Sequence, residues 1–273
     1  MKTNPIFIVA VFLAVGCGNR DNGVVFAQTK TPVSEKESVE SEEGMVLIKG
    51  GAFTSVIGQE TKKVTIKPFL MDKYEVTIAE FEKFVKATGY VPESDKPGAK
   101  TLILKSKQEN VIGVNWRFDE RGNERDISAY NCPVIHVSYE DAEAYAKWAG
   151  KRLPTIYEWQ YSAIGGADEL AVMNHINNNT WHFDNTRNIH PVGMKDPNHF
   201  GLYDIFGNVG EYVSHEGDKS PLPPGSTQEN RVRSAHSSFF EDAEALYPPV
   251  FAHGHRRGTG WTTGFRCAKD ITN

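Results

Sequence analysis

The second half of the folded part of the chain has little sustained hydrophobic periodicity. After Gly166, Asn, Gly, His and Pro recur between brief apolar runs, and the aromatic residues are scattered rather than periodic. A loop-rich stretch of this length inside a compact domain must be held by something besides helix and sheet packing. Bound metal ions are one such means, and with no evident internal repeat we expect a single domain.

Composition narrows the class of partner. The chain has 273 residues, 39% of them hydrophobic, with a formal net charge of -5 and no Lys/Arg cluster. That length and apolar content suffice for a sizeable core. The charge balance gives no electrostatic footprint for a polyanion, so we expect no binding to nucleic acid.

The N-terminal sequence MKTNPIFIVAVFLAVGC has the form of an export signal. Its apolar run from Ile6 to Val15 is too short to span a bilayer, and residues 1–16 are typical of a secretory signal peptide. A buried core segment is the alternative, but the polar stretch that follows disfavours it. LAVGC resembles the lipobox of bacterial lipoproteins, although Ala14 stands where Leu is commoner. That resemblance implies cleavage before Cys17 and a lipid on its thiol.

The lipobox resemblance also predicts a location. No Asp follows Cys17, so inner-membrane retention is not indicated, and we expect a cell-envelope protein anchored at the outer membrane. Residues 17–43 are polar and rich in Ser, Glu and Lys, which favours a disordered tether. The folded domain is then 44–273.

Local patterns predict the first elements of that domain. Met45 to Ile48 is an apolar run that favours a strand, and KKVTIKPFLMDKYEVT alternates well enough for one or two more. Three helix starts carry a capping-box pattern, in which a Ser or Thr is followed three residues later by an acid. They are Thr77–Glu80, Ser138–Asp141 and Thr155–Glu158.

Five segments in order resemble the formylglycine-generating enzyme (sulfatase-modifying factor) family. They are KYEVTIAEFEKFVKATGY, GVNWR, CPVIHVSYEDAEAYAKWAGKRLPTIYEWQYSAIGG, HPVGMKDPNHFGLYDIFGNVGEYV and GFRCA, and they cover roughly residues 44–270. The resemblance implies an α+β fold with low regular secondary structure, the family's variant of the C-type-lectin-like fold. It also implies structural calcium.

The segment GLYDIFGNVGEYV matches a calcium site of the family. The resemblance implies calcium ligands from the side chains of Asp204 and Glu211 and from the main chain of Gly207 and Val209. Calcium takes six to eight oxygen ligands, which such a turn can supply. A capped turn without an ion is the alternative. A second family site matches NNTW, which implies ligands at Asn179–Thr180.

The family's copper site is altered in RVRSAHSSFFEDAEA, residues 231–245. The resemblance places Ser237 on the serine of the family's active-site motif, and Phe240 and Ala245 near its two copper-binding cysteines. Soft thiolates hold Cu(I), and neither a phenyl nor a methyl group replaces them. The motif's Gly-Gly pair is Ala235-His236 here. Copper is therefore not expected.

The two remaining cysteines allow one disulfide. Family members often pair a cysteine of an AYC segment with that of GFRC, but this chain has Ala146 in the first position. A Cys132–Cys267 bridge is one possibility, and two separate buried thiols are the other.

The leading interpretation is a binding or structural module. Variable loops on a braced scaffold carry recognition. A pocket for an envelope protein, peptide or glycan could be lined by aromatic side chains, with two arginines for an acidic group: Phe239, Phe240, Tyr247, Phe251, Trp261, Arg256 and Arg257. Core packing is the alternative for Phe239 and Trp261. Trp116–Arg117 matches residues near the family's substrate groove, and a packed Trp is an equal alternative.

An enzymatic interpretation is the runner-up. His253 and His255 share one side of an extended segment, and with His236 they could hold zinc, iron or copper. Glu241, Asp242 and Glu244 could act as bases or complete the site. Ser237 as a nucleophile has less support, since no His-Asp partner order is visible. Surface histidines in a loop are the simpler reading of this set.

Overall fold

The computed structural model describes residues 42–57, 60–104, 107–164, 167, 169–214, 232–235, 237–247, 251–254 and 259–271. Short strands outnumber the helices in these ranges, as the list that follows shows. The strands are β1 (Met45–Ile48), β2 (Gly51–Ile57), β3 (Glu60–Ile66), β4 (Phe69–Asp72), β5 (Lys100–Leu104), β6 (Gln108–Ile112), β7 (Gly210–Val213), β8 (Val232–Ala235), β9 (Phe251–Gly254), β10 (Thr263–Gly264) and β11 (Ala268–Asp270). The helices are α1 (Ile78–Thr88), α2 (Tyr139–Trp148), α3 (Ile156–Ile164) and α4 (Glu169–Asn179).

A three-stranded sheet brings the two ends of the described chain together. β4 lies between β1 and β11 and is antiparallel to both. All four residues of β4 are buried, as a continuous apolar run in a central strand predicts. The predicted strand at Met45–Ile48 is confirmed as β1, and the alternating segment after it forms two strands, β3 and β4.

A four-stranded sheet in the order β10-β7-β8-β9 includes part of the segment 231–245, which contains β8. β7 pairs with β8 through Glu211 and Ala235, and β8 pairs with β9. β2–β3 and β5–β6 are separate antiparallel hairpins. The predicted α+β class with little regular structure is confirmed.

All three predicted capping boxes are present. Thr77 and Glu80 bond reciprocally at the start of α1, and Ser138 and Asp141 do so at the start of α2. At α3, the Glu158 carboxylate accepts the Thr155 N–H and the Thr155 hydroxyl accepts the Glu158 N–H. Gly89 ends α1 in the left-handed conformation. These contacts span three residues, so local sequence suffices to predict them.

Helix α4 corrects our expectation that regular structure ends near Gly166. Its sequence ELAVMNHINNN has three consecutive asparagines, which are poor helix formers. Val172 and Ile176 are nevertheless buried, four residues apart on one face, and join the largest core cluster. Tertiary packing of that narrow stripe stabilises the helix against its weak intrinsic propensity.

Cys132 and Cys267 form no disulfide, which decides between the two possibilities that the sequence left open. Cys132 and Cys267 are both free and buried, within the same hydrophobic cluster as Trp116 and Phe265. The alternative of two buried thiols is the arrangement observed. Burial raises the pKa of the Cys267 thiol well above its ordinary value, so this thiol is protonated at neutral pH.

The N-terminal predictions lie outside the described residues. The signal segment, Cys17 and all but the last two residues of the tether fall within residues 1–41. None of the described helices has the length and apolar character that a membrane-spanning segment requires.

Candidate functional site

The turn before β7 has an unusual backbone. Asp204 and Asn208 have φ of 52° and 50°, a region that few non-glycine residues adopt. Gly207 has φ of 80°, and a Cβ there would lie 2.2 Å from the Trp181 carbonyl oxygen. Only glycine fits this close approach. The turn therefore holds its carbonyls and side chains in a fixed arrangement.

The Glu75 carboxylate holds the turn in place through two hydrogen bonds. It accepts hydrogen bonds from Asn208 Nδ2 at 2.8 Å and from the Val209 N–H at 3.2 Å. Burial raises the pKa of Glu75 well above its ordinary value, and the nearby carboxyls of Asp204 and Glu211 raise it further. No local sequence pattern singles out Glu75, although it lies in the family-like segment KYEVT.

Glu211 pairs with an arginine in the core. Arg266 Nε lies 2.8 and 2.9 Å from the two Glu211 oxygens, and Trp159 Nε1 donates to Oε2 at 2.7 Å. The other Arg266 donors reach the carbonyls of Asp72, Lys73 and Tyr203. Each polar group in this pair is therefore satisfied, as a buried ion pair requires.

Asp204 retains one free oxygen. Its Oδ2 accepts the Gly193 N–H at 2.7 Å, whereas its buried Oδ1 has no hydrogen-bond partner among the described residues. Burial raises the pKa of this carboxyl. An orphan hard oxygen beside a carbonyl-rich turn fits a calcium ligand. Glu211 fits less well, since a calcium ion would have to share it with Arg266.

The described residues hold no group of three or more His, Cys, Asp or Glu side chains that could bind a metal. Three buried acids, at positions 75, 204 and 211, nevertheless face the single guanidinium of Arg266. This excess of carboxyl groups favours a cation or protonation. Calcium at the turn remains a prediction.

Asn179 and Thr180, which are predicted ligands of a second calcium ion, lie at the C-terminal end of α4. Asn179 is the last residue of α4, and the Thr180 hydroxyl donates to the Ile176 carbonyl at 2.7 Å. The Thr180 carbonyl accepts from Asn185 Nδ2 at 3.0 Å. Calcium at these two residues stays a prediction.

Ser237 is not exposed as a nucleophile needs to be, and its hydroxyl makes a structural contact. It is buried, and its hydroxyl accepts the Gly207 N–H at 3.2 Å. This bond ties the altered loop to the turn at Asp204. The loop and the turn therefore form one unit.

An aromatic group, defined here as Phe183, Phe239, Phe240 and Trp261, lies beside Ser237. Phe239 and Trp261 are buried, which confirms the core alternative for both. Phe240 is 37% exposed and packs edge-on against Trp261, with ring centroids 4.8 Å apart. Phe183 lies 5.9 Å from Phe240. Phe240 thus leaves part of its ring open to solvent.

Trp116 is a core residue, which corrects its prediction as a ligand contact. It is fully buried, and its indole N–H donates to Asp95 Oδ2 at 2.9 Å. Arg117 lies over the Trp116 ring, 3.9 Å from its centroid, and its side chain is 34% exposed. Only Arg117 of this pair reaches the surface.

The remaining predicted residues are only partly placed. His236, His255, Arg256 and Arg257 lie outside the described residues. His253 is in β9, opposite Arg233 in the register, with its side chain undescribed. Ala245 is exposed in a 3-10 helix, Ala243–Leu246. The histidine-based metal site stays a prediction.

A family model described as "Sulfatase-modifying factor enzyme 1-like domain" matches residues 30–271. The chain belongs to the sulfatase-modifying factor family. The formylglycine-generating enzyme of Mus musculus is 32% identical over 252 residues, which is 77% of this chain and 68% of that protein. The "Inactive C-alpha-formylglycine-generating enzyme 2" of Mus musculus is 30% identical over 184 residues, covering 56% of this chain and 60% of that protein.

Solved structures agree on the family fold. The structure of PvdO from Pseudomonas aeruginosa has a TM-score of 0.61 at 23% identity, covering 83% of this chain and 94% of that one. The predicted formylglycine-generating-enzyme variant of the C-type-lectin-like fold is confirmed.

Proposed function

We propose that this family member is a lipid-anchored binding module of the cell envelope that lacks the family's copper chemistry. Phe240 carries the proposal: it is exposed, and the family resemblance aligns it with a cysteine, the residue whose thiolate a Cu(I) site needs. The chain's three cysteines are at positions 17, 132 and 267, none of them in the altered loop. Calcium at Asp204 would brace that loop through Gly207 and Ser237.

Phe240 has the features of an interface anchor. Its ring is held edge-on by Trp261 and Phe183, so little side-chain entropy is lost when a ligand covers it. Aromatic side chains are common anchors in binding sites. The acidic residues Asp242 and Glu244 are exposed nearby and supply a polar rim. We propose a glycan, a peptide or an envelope protein as the ligand.

A copper(I) titration of the full chain tests the loss of copper chemistry. We expect no stoichiometric binding by the natural chain. The double variant F240C/A245C is the matched control, since it returns a thiol to both positions. Copper bound by the natural chain in an equimolar amount, and lost on mutation of His253, would overturn the proposal and favour a histidine-based oxidase.

Arrays of glycans and peptides test the binding role. Phe240→Ala should lower the affinity for the ligands that the full chain captures by about tenfold or more, as for a typical anchor. Ile127→Ala is the control, because Ile127 is 78% exposed and belongs to a different part of the fold. Equal capture by the natural chain and F240A would exclude this surface.

A further inference from the structure

A polar cavity of about 350 Å³ lies between the segment that joins β4 to α1 and the C-terminal end of α2. Its lining carries charges of both signs: Glu43, Asp72, Glu75, Glu80, Lys83 and Lys151. It shares no lining residue with the aromatic group or the altered loop. It is therefore separate from the binding surface proposed at Phe240, although Glu75 in its lining also bonds to the turn at Asp204.

One wall of the cavity is fixed by a partly buried ion pair. Lys151 Nζ lies 2.6 Å from Asp72 Oδ1, and the two side chains are 20% and 13% exposed. Asp72 Oδ2 also accepts the Cys267 N–H at 3.0 Å. An ammonium has three donors, so Lys151 can hold Asp72 and still donate to a ligand.

Helix α1 contributes two opposite charges. Glu80 and Lys83 are three residues apart, so they lie on neighbouring positions of one helix face, and both line the cavity. Glu80 accepts from Thr77 in the capping box. Lys83 and Glu43 both line the cavity and are exposed, and neither forms an ion pair with any part of the chain that the structure describes.

We propose that this cavity binds a small zwitterion, namely a free amino acid or short peptide with both termini charged. A simple anion would meet the carboxylates of Glu43, Asp72 and Glu80, and a simple cation would meet two ammonium groups. Like charges brought together weaken binding. A zwitterion places its carboxylate at Lys83 and Lys151 and its ammonium at Glu43 and Glu80.

Calorimetric titration of the full chain with glycylglycine tests the proposal. Lys83→Ala should weaken binding by about tenfold, the loss expected for one charge-assisted hydrogen bond. Glu80→Gln should do the same while keeping the helix cap, because Gln also serves in a capping box. Lys86→Ala is the matched control on the same helix, since Lys86 pairs with Glu82 and does not line the cavity.

Two ligands, each with one terminus blocked, test whether both charges are needed for binding. N-acetyl-glycylglycine lacks the ammonium and glycylglycine amide lacks the carboxylate, and both should bind about tenfold more weakly than glycylglycine. No heat at millimolar glycylglycine, equal affinity for a blocked ligand, or unchanged affinity in K83A would each overturn the proposal.

Discussion

The guanidinium of Arg266 and the carboxylate of Glu211 form a fully buried ion pair, with 2.7 Å between Nη2 and Oε1. Glu211 is the first residue of β7 that pairs with β8, and Arg266 lies two residues before β11. The pair therefore links the sheet that carries the altered loop to the sheet formed by the chain ends.

Removing Arg266 should strongly destabilise the fold. Arg266→Met leaves Glu211 buried without its cationic partner and beside two other acids, so we expect the free energy of unfolding to fall by about 3–5 kcal/mol. Urea denaturation measures this change. Lys86→Ala breaks an exposed pair with Glu82 and should cost less than about 1 kcal/mol. Similar midpoints for R266M and K86A would contradict the expectation.

His136 should make the fold sensitive to acid. It is fully buried with φ of 57°, its Nε2 lies 2.8 Å from the Asp119 carbonyl, and burial lowers its pKa to about 4. Between that value and the ordinary 6.5 the unfolded chain binds the extra proton. Stability therefore falls as pH decreases through this window, by at most about 3 kcal/mol.

His136→Asn isolates this effect, since Asn tolerates the left-handed backbone and does not titrate. Between pH 7 and pH 4, the unfolding free energy of the natural chain should fall relative to that of H136N. His199→Asn, at an exposed histidine, is the control. A difference that stays constant with pH would exclude His136 as the acid-sensitive group.

How far the sequence predicts this molecule depends on the distance over which residues interact. The caps at Thr77 and Thr155 and the buried strand β4 follow from neighbours within a few residues. Helix α4 does not follow from its local sequence, because the burial of Val172 and Ile176 outweighs a run of asparagines. Arg266 and Glu211 are separated by 55 residues. No local pattern pairs them, although each lies in a segment that resembles the family.

The site was predicted less well than the fold. Family resemblance identified the turn at Asp204, but only packing shows that the Ser237 hydroxyl is used by Gly207. Trp116 has the same sequence context whether it faces a groove or the core. Its complete burial in the structure places it in the core.

The thiols of Cys132 and Cys267 should both be reduced in the isolated protein. With a lipid on Cys17, denatured chain purified without reductant should react with two equivalents of Ellman's reagent, and C132A with one. Native chain should react slowly, because both thiols are buried. No reactive thiol after denaturation would instead indicate a disulfide.

Calcium should stabilise the fold through Asp204. At a concentration about a hundred times the dissociation constant, a ligand that binds only the native state adds about 2.7 kcal/mol. We expect calcium to raise the melting temperature of chelator-treated protein and to have no effect on Asp204→Asn. Asp196→Asn, at an exposed acid, should respond like the natural chain. An unchanged melting temperature in the natural chain would argue against the site.

Cys17 should carry the membrane anchor. One acyl chain gives marginal membrane binding, whereas the several chains of a lipoprotein anchor hold a protein stably, so Cys17→Ala should move the protein from the membrane to the soluble fraction. Metabolic labelling with a radioactive fatty acid should mark the natural chain and not C17A. Cys132→Ala, at a buried thiol, should keep its label. Label retained in C17A would place the lipid on another residue. C17A that stays in the membrane fraction without label would show that membrane attachment has another cause.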